Sequence, residues 1–220
     1  MITASGSPAL WTAPPRGVVL VLAPHPDDES LGCGGTIALH AAQGDPVHVV
    51  IVTDGAAGDP NGYYGDADYP ALRQSEARRA AEILGVASLE CWGYPDGRLI
   101  QAADLPERVA DAIRAVRPGL LYYPSTLEVH SDHSAVAAAV AHALRATPTP
   151  PLAAAYEVWA ALQPTHMLDI TSVWDRKRKA IEQYETQLRY NDYLHMIAGL
   201  NAYRTIHLPS ARFVEAFEVR

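Results

Sequence analysis

Five consecutive residues, His25-Pro26-Asp27-Asp28-Glu29, set one imidazole and three carboxylates directly after the apolar run Val18 to Ala23. An imidazole nitrogen and a carboxylate oxygen three residues apart, in a loop stiffened by proline, can converge on one cation at about 2 Å each. His25 and Asp28 are that pair, with zinc the first candidate. Asp27 lies between them and need not bind, so its carboxylate is free to take a proton from an attacking water. The simpler alternative is that the acids cap the next helix and complement its positive end, but capping needs one acid and no histidine. A second cluster, Glu128-Val129-His130-Ser131-Asp132-His133, follows another apolar run, Leu120 to Pro124. A catalytic zinc usually keeps three protein ligands and one open position, so His130, Asp132 and His133 cannot all bind. Here too a plain alternative exists, two surface histidines flanking a helix cap.

Both clusters need strands to bring them together. Val18 to Ala23, Val47 to Val52, Ser88 to Trp92 and Leu120 to Pro124 read as strands, and their near-unbroken apolar runs suit a parallel sheet covered on both faces. Helices are expected over Thr36–Gln43, Ala71–Leu84, Leu105–Val116 and Ala135–Ala146. The expected fold is therefore α/β, a Rossmann-like three-layer arrangement with a mostly parallel sheet. Its site lies at the carboxyl ends of the strands, where open α/β sheets build them. Gly32-Cys33-Gly34-Gly35 reads as a turn into the first helix. It is a poor phosphate cradle, because the acidic cluster stands between it and the strand and would repel a pyrophosphate. Residues 1–16 form a polar leader and 17–150 the sheet core. After the proline-rich break at Thr147 to Pro151, residues 151–220 read as a small C-terminal α+β appendage of one domain, with strands at Ala155–Trp159, Met167–Ile170 and Phe213–Val219 and helices at Val173–Leu188 and Asp192–Tyr203.

HPDDE together with HxDH resembles the PIG-L/LmbE-like family of zinc-dependent N-acetylglucosamine deacetylases. The resemblance covers most of the chain: Thr53-Asp54-Gly55, Arg73-Gln74-Ser75-Glu76, Tyr94-Pro95-Asp96-Gly97, Asp169-Ile170-Thr171, Lys179 and Tyr184-Glu185-Thr186-Gln187 follow the family pattern in order. It implies His133 as the third metal ligand beside His25 and Asp28. It leaves His130 free to steady an oxyanion, with Asp132 as a hydrogen-bond partner that fixes its tautomer and favours its protonated form. Arg73 is the family's substrate-reaching arginine, otherwise a surface partner of Glu76. Asp96 is then an acceptor for a sugar hydroxyl, otherwise a turn former. Some relatives carry a tyrosine two residues before the first histidine of HxDH to help stabilise the transition state. This chain has Glu128 there, which unsettles the oxyanion arrangement and separates it from the mycothiol-pathway deacetylase.

The implied reaction is removal of an N-acetyl group from an N-acetylglucosamine conjugate by a metal-activated water, with Zn2+ as cofactor and Fe2+ or another divalent metal able to replace it. The alternatives are another metallohydrolase, an esterase or phosphoesterase, which needs cations near the site, and a non-catalytic metal-bearing sugar-binding module, which should lack a ligand or the base. Tyr184, Tyr190, Tyr193 and Tyr203 either wall a sugar pocket or simply pack, and His40, His48, His142, His166, His195 and His207 have no evident acidic partner. With 49% hydrophobic and 19% charged residues the chain is an ordinary globular one, and its formal net charge of −8 argues against a nucleic-acid or anionic-membrane partner. No run reaches the eighteen or so apolar residues of a membrane span. The two cysteines lack a CxxC spacing and no signal peptide is evident, so a cytoplasmic setting is expected. The expected partner is a small N-acetylated sugar conjugate, and a homo-oligomer is left open.

Overall fold

The computed structural model describes residues 7–220. All eight strands among them form one sheet: β1 (Ala9–Trp11), β2 (Val19–Ala23), β3 (Val47–Thr53), β4 (Ser88–Tyr94), β5 (Leu120–Pro124), β6 (Leu152–Tyr156), β7 (His166–Asp169) and β8 (Val214–Val219), in the order β1-β7-β8-β6-β5-β2-β3-β4. Only β8 runs antiparallel to its neighbours, β6 and β7. After residue 150, β6 pairs directly with β5 and carries the sheet onward. Residues 1–6 of the expected leader lie outside the described residues. Its remainder supplies the edge strand β1, whose Trp11 ring packs 5.0 Å from His166 and 5.7 Å from Phe217.

Strand alternation sorts the core into two layers. Val19, Val21 and Ala23 of β2 face a cluster shared with α1 (Asp28–Gln43), α2 (Tyr69–Leu84), α5 (Trp174–Ile181) and α7 (Tyr193–Tyr203). Leu20 and Leu22 face the opposite way, against α3 (Leu105–Val116) and α4 (Ser131–Ala146). A short α6 (Glu185–Leu188) completes the helices.

Helix α1 begins at Asp28, not Thr36, so the acidic motif forms its first turn. The glycines are not a turn but lie inside the helix, which kinks at Cys33 (φ −140°). They answer to crowding: a Cβ on Gly32 would lie 2.2 Å from the Tyr156 ring, and one on Gly35 2.7 Å from Ile170. Past the kink, Glu215 caps the second half of α1, accepting from the N–H of Gly35 and of Thr36 at 2.8 Å each, and it pairs with buried Lys177 at 2.6 Å. His40, given no acidic partner by the sequence, meets Asp45 at 2.9 Å and the Tyr122 hydroxyl at 3.0 Å.

Candidate metal centre

Strand β2 has β3 on one side and β5 on the other, so successive chain segments leave it in opposite directions. Crevices open at the carboxyl ends of strands where strand order reverses in this way. His25 follows β2 and His133 follows β5, and the parallel register Val19↔Leu120 to Val21↔Tyr122 draws the two loops together.

Asp28 Oδ2 lies 3.1 Å from His25 Nδ1 and 3.0 Å from His133 Nε2, so the three expected ligands do meet. Burial pushes the Asp28 carboxyl up, but the charge and hydrogen bonds of His133 and His25 outweigh it and hold it well below the usual range. His133 moves the other way, burial lowering it and Asp28 raising it to about 9. His25 is likewise raised, against its burial, by Asp132, Asp28 and Asp96. The point between these groups therefore favours positive charge. Neither ring nitrogen of the fully buried His133 makes a well-directed hydrogen bond. Nε2 approaches Asp28 off the bond axis, and such an orphan in a buried imidazole calls for a partner. A nitrogen, nitrogen and oxygen set with carboxylates behind its rings fits a divalent metal. Nitrogens of His25, His130 and His133 also lie within 4.8 Å of one another, so His130 is within reach of the same ion.

Carboxylates stand beside the far side of each ligand ring. His25 Nε2 lies 3.1 Å from Asp96 and 3.3 Å from Asp132, and His133 Nδ1 lies 3.3 Å from Glu128. This corrects two expectations. Asp132 does not reach the His130 ring with its carboxylate, which instead accepts from Gly97 N–H (2.7 Å) and Leu99 N–H (3.1 Å). The His130 tautomer is set by the Asp132 backbone N–H, which donates to Nδ1 at 3.2 Å. Burial, then the charges of His25 and His133, lower His130, so its neutral form is favoured rather than its protonated one. Asp96 lines the cleft, yet its oxygens face His25 and the Ala57 N–H, turned inward rather than offered to a sugar hydroxyl.

Asp27 does not cap α1 through its side chain. It holds φ 139°, a conformation L residues rarely adopt, and costs of order 1–3 kcal/mol go with such strain. Its carboxylate lies 3.2 Å from Arg73, whose guanidinium also donates to the carbonyls of Pro26 and Gly55. Arg73 is 2% exposed, so it is no surface ion pair; it lines the cleft with its guanidinium against Asp27. Glu76 is buried as well and accepts from Thr186 instead. Burial raises Asp27 to about 8, with Arg73 opposing.

The cleft above these groups has a volume of about 150 Å³ and is walled on the far side by Trp159, Gln187 and Tyr193. Of the four tyrosines considered, only Tyr193 lines it. Tyr184 is fully buried and donates to Glu29, Tyr190 donates to Asp59, and Tyr203 is 63% exposed. Trp159, expected to end a strand over Ala155–Trp159, instead sits on a loop, because β6 ends three residues before it at Tyr156. No local pattern marks Trp159 as a wall residue.

Fold and site define an α/β protein with a cluster of histidines and carboxylates that could hold a metal at the switch point of a mostly parallel sheet. A family model for GlcNAc-PI de-N-acetylase, PIG-L, matches residues 20–144, and the chain belongs to this family. It is 32% identical over 222 aligned residues to a 4-oxalmesaconate hydratase of Pseudomonas putida, covering 90% of this chain and 86% of that protein. It is 30% identical to a diacetylchitobiose deacetylase of Thermococcus kodakarensis, over 77% of this chain and 69% of that one. In fold it is similar to the N,N'-diacetylchitobiose deacetylase of Pyrococcus horikoshii, with a TM-score of 0.80 at 23% identity over 93% and 84% of the two chains. No described helix is long and apolar enough to cross a membrane.

Proposed function

We propose that this chain is a metal-dependent N-deacetylase that hydrolyses the acetamide of an N-acetylglucosamine conjugate to acetate and an amine. The observation that carries the reading is the meeting of His25, Asp28 and His133, two of which, His25 and Asp28, line a cleft together with Asp27 and His130. Those three residues would hold the metal, zinc first, with Fe2+ suited to the same donors. When bound, a divalent cation there polarises a carbonyl and acidifies water. The remaining steps fall to the chain. Asp27, held by Arg73, takes the proton of the attacking water. His130, whose Nδ1 already accepts from the backbone, keeps its proton on Nε2 and presents it to the oxygen that gains charge. Either Asp27 or His130 returns a proton to the departing amine. Asp96 and Asp132 fix the His25 ring. Residues 1–220 are read as one such domain, acting in the cytoplasm.

A hydratase is the second reading, favoured by the wide match to the Pseudomonas putida protein. A substrate bearing several carboxylates would want cations in the cleft. Among the described residues lining it, Arg73 is the one lysine or arginine, and its guanidinium is committed to Asp27 and two carbonyls. The same count disfavours phosphoesters, whereas a neutral sugar needs no such charge. The test is acetate release from a panel of N-acetylglucosamine conjugates by zinc-loaded, chelator-treated and Asp27→Asn protein, beside loss of absorbance from a conjugated unsaturated polycarboxylate. Acetate release requiring both metal and Asp27 is expected. Turnover of the polycarboxylate alone would replace the deacetylase reading with the hydratase one.

A further inference from the structure

Glu128 lies between two exposed apolar residues, Leu127 (56%) and Val129 (82%), and is itself 4% exposed. This inverts the usual preference for apolar residues inside and carboxylates outside, so the acid must be stabilised by what it meets. Its carboxylate accepts from three consecutive backbone N–H groups of the loop after β6. Val158 donates at 2.7 Å, Trp159 at 3.0 Å to one oxygen and 3.2 Å to the other, and Ala160 at 3.4 Å. The oxygen nearer Trp159, Oε2, is also the one 3.3 Å from His133 Nδ1. The other end of the loop is fastened separately. Glu157 accepts from Leu162 N–H at 2.9 Å and pairs with buried Arg204, whose guanidinium also donates to the Leu162 carbonyl.

We infer that Glu128 is a positioning residue that orients His133 toward the metal and, with the same carboxylate, holds the loop that presents Trp159 to the cleft. The inference rests on the metal reading above. An imidazole whose Nδ1 faces a carboxylate at 3.3 Å is biased to carry its proton there, which leaves the Nε2 lone pair, 3.0 Å from Asp28, for a metal. The loop amides meanwhile gain a charge-assisted acceptor. Ligand orientation and the aromatic wall formed by Trp159 against Tyr193, ring centroids 5.4 Å apart, thereby depend on one group.

Two measurements test it on the full chain. The first is Zn2+ affinity, by competition with a chromogenic chelator, for wild type, Glu128→Gln and Glu128→Ala. Glutamine keeps an oxygen for the loop amides but loses the charge behind His133, so a loss of about 10- to 100-fold in affinity is expected with the metal-free melting temperature held. The second is amide hydrogen exchange over residues 157–162, expected to accelerate in Glu128→Ala and to stay near wild type in Glu128→Gln. Zinc affinity of Glu128→Gln within about twofold of wild type would overturn the assignment to His133, a loss of tenfold being the least typical of such partners. Unchanged exchange in Glu128→Ala would overturn the loop assignment; should that variant not fold, a Glu128→Gln protein with wild-type exchange and weakened zinc supports the inference, and one with wild-type zinc overturns it. A wild type that binds no zinc would overturn the metal centre itself, an outcome distinct from equal binding by wild type and variant.

Discussion

The guanidinium of Arg73 lies against the carboxylate of Asp27, Nη2 to Oδ2 3.2 Å, with both side chains buried. An arginine that reached substrate would contribute binding, whereas one that holds the base contributes to the chemical step. Arg73→Gln is therefore expected to lower kcat with KM nearly unchanged. A raised KM at constant kcat would return Arg73 to the role of a substrate contact.

Asp27→Asn keeps the shape of the residue and none of its basicity. It should retain wild-type metal content while turnover falls by about 10²- to 10⁴-fold. His133→Ala should lose the metal. Elemental analysis of both variants decides, and equal metal in the two would reverse the assigned roles.

His130→Ala should keep its metal and lose roughly 10²- to 10³-fold in rate, as for removal of one oxyanion donor. Nitrogens of His25, His130 and His133 lie within 4.8 Å of one another, so the experiment discriminates sharply. If the variant empties the site, His130 is a ligand.

Gly32→Ala places a methyl group 2.2 Å from the Tyr156 ring, which cannot swing aside because its hydroxyl donates to the Leu22 carbonyl at 2.9 Å. Overpacking of this kind costs about 1–3 kcal/mol. At roughly 2–4 °C per kcal/mol for a chain of this size, calorimetry should register a fall of several degrees. An unchanged melting temperature would mean that α1 does not need this approach.

Stability should also depend on pH through His40. Burial lowers its pKa below 6.5 despite Asp45, so the unfolded chain binds the proton more readily. The contribution is present above 6.5 and is lost as pH falls through the folded value. His25 and His133 are shifted upward and act in the opposite sense. The informative quantity is thus the difference in melting temperature between wild type and His40→Gln from pH 8 to 5. That difference should shrink toward low pH, and a constant difference would remove His40 from the account.

The sequence by itself determined the strands of the sheet core and the two clusters at their ends. Val19–Ala23 and Leu120–Pro124 are short apolar runs that stop at polar residues, and a local signal suffices to place His25, Asp28 and His133 after them. Composition and charge likewise argue against a nucleic-acid or anionic-membrane partner. What the tertiary structure decided is the direction of each side chain. Asp132 turns to Gly97, Leu99 and His25 rather than to His130; Arg73 turns to Asp27 rather than to Glu76; and Glu128 turns inward to His133 and the Trp159 loop. Of the partners taken, only His133, five residues from Glu128, is close in sequence; His130 and Glu76, which local spacing favoured for Asp132 and Arg73, are passed over. The choice was made by which strands lie side by side. Once β2 and β5 pair, buried carboxylates must take whichever donors the packed loops bring near, because an unpaired buried charge costs more than any local preference returns.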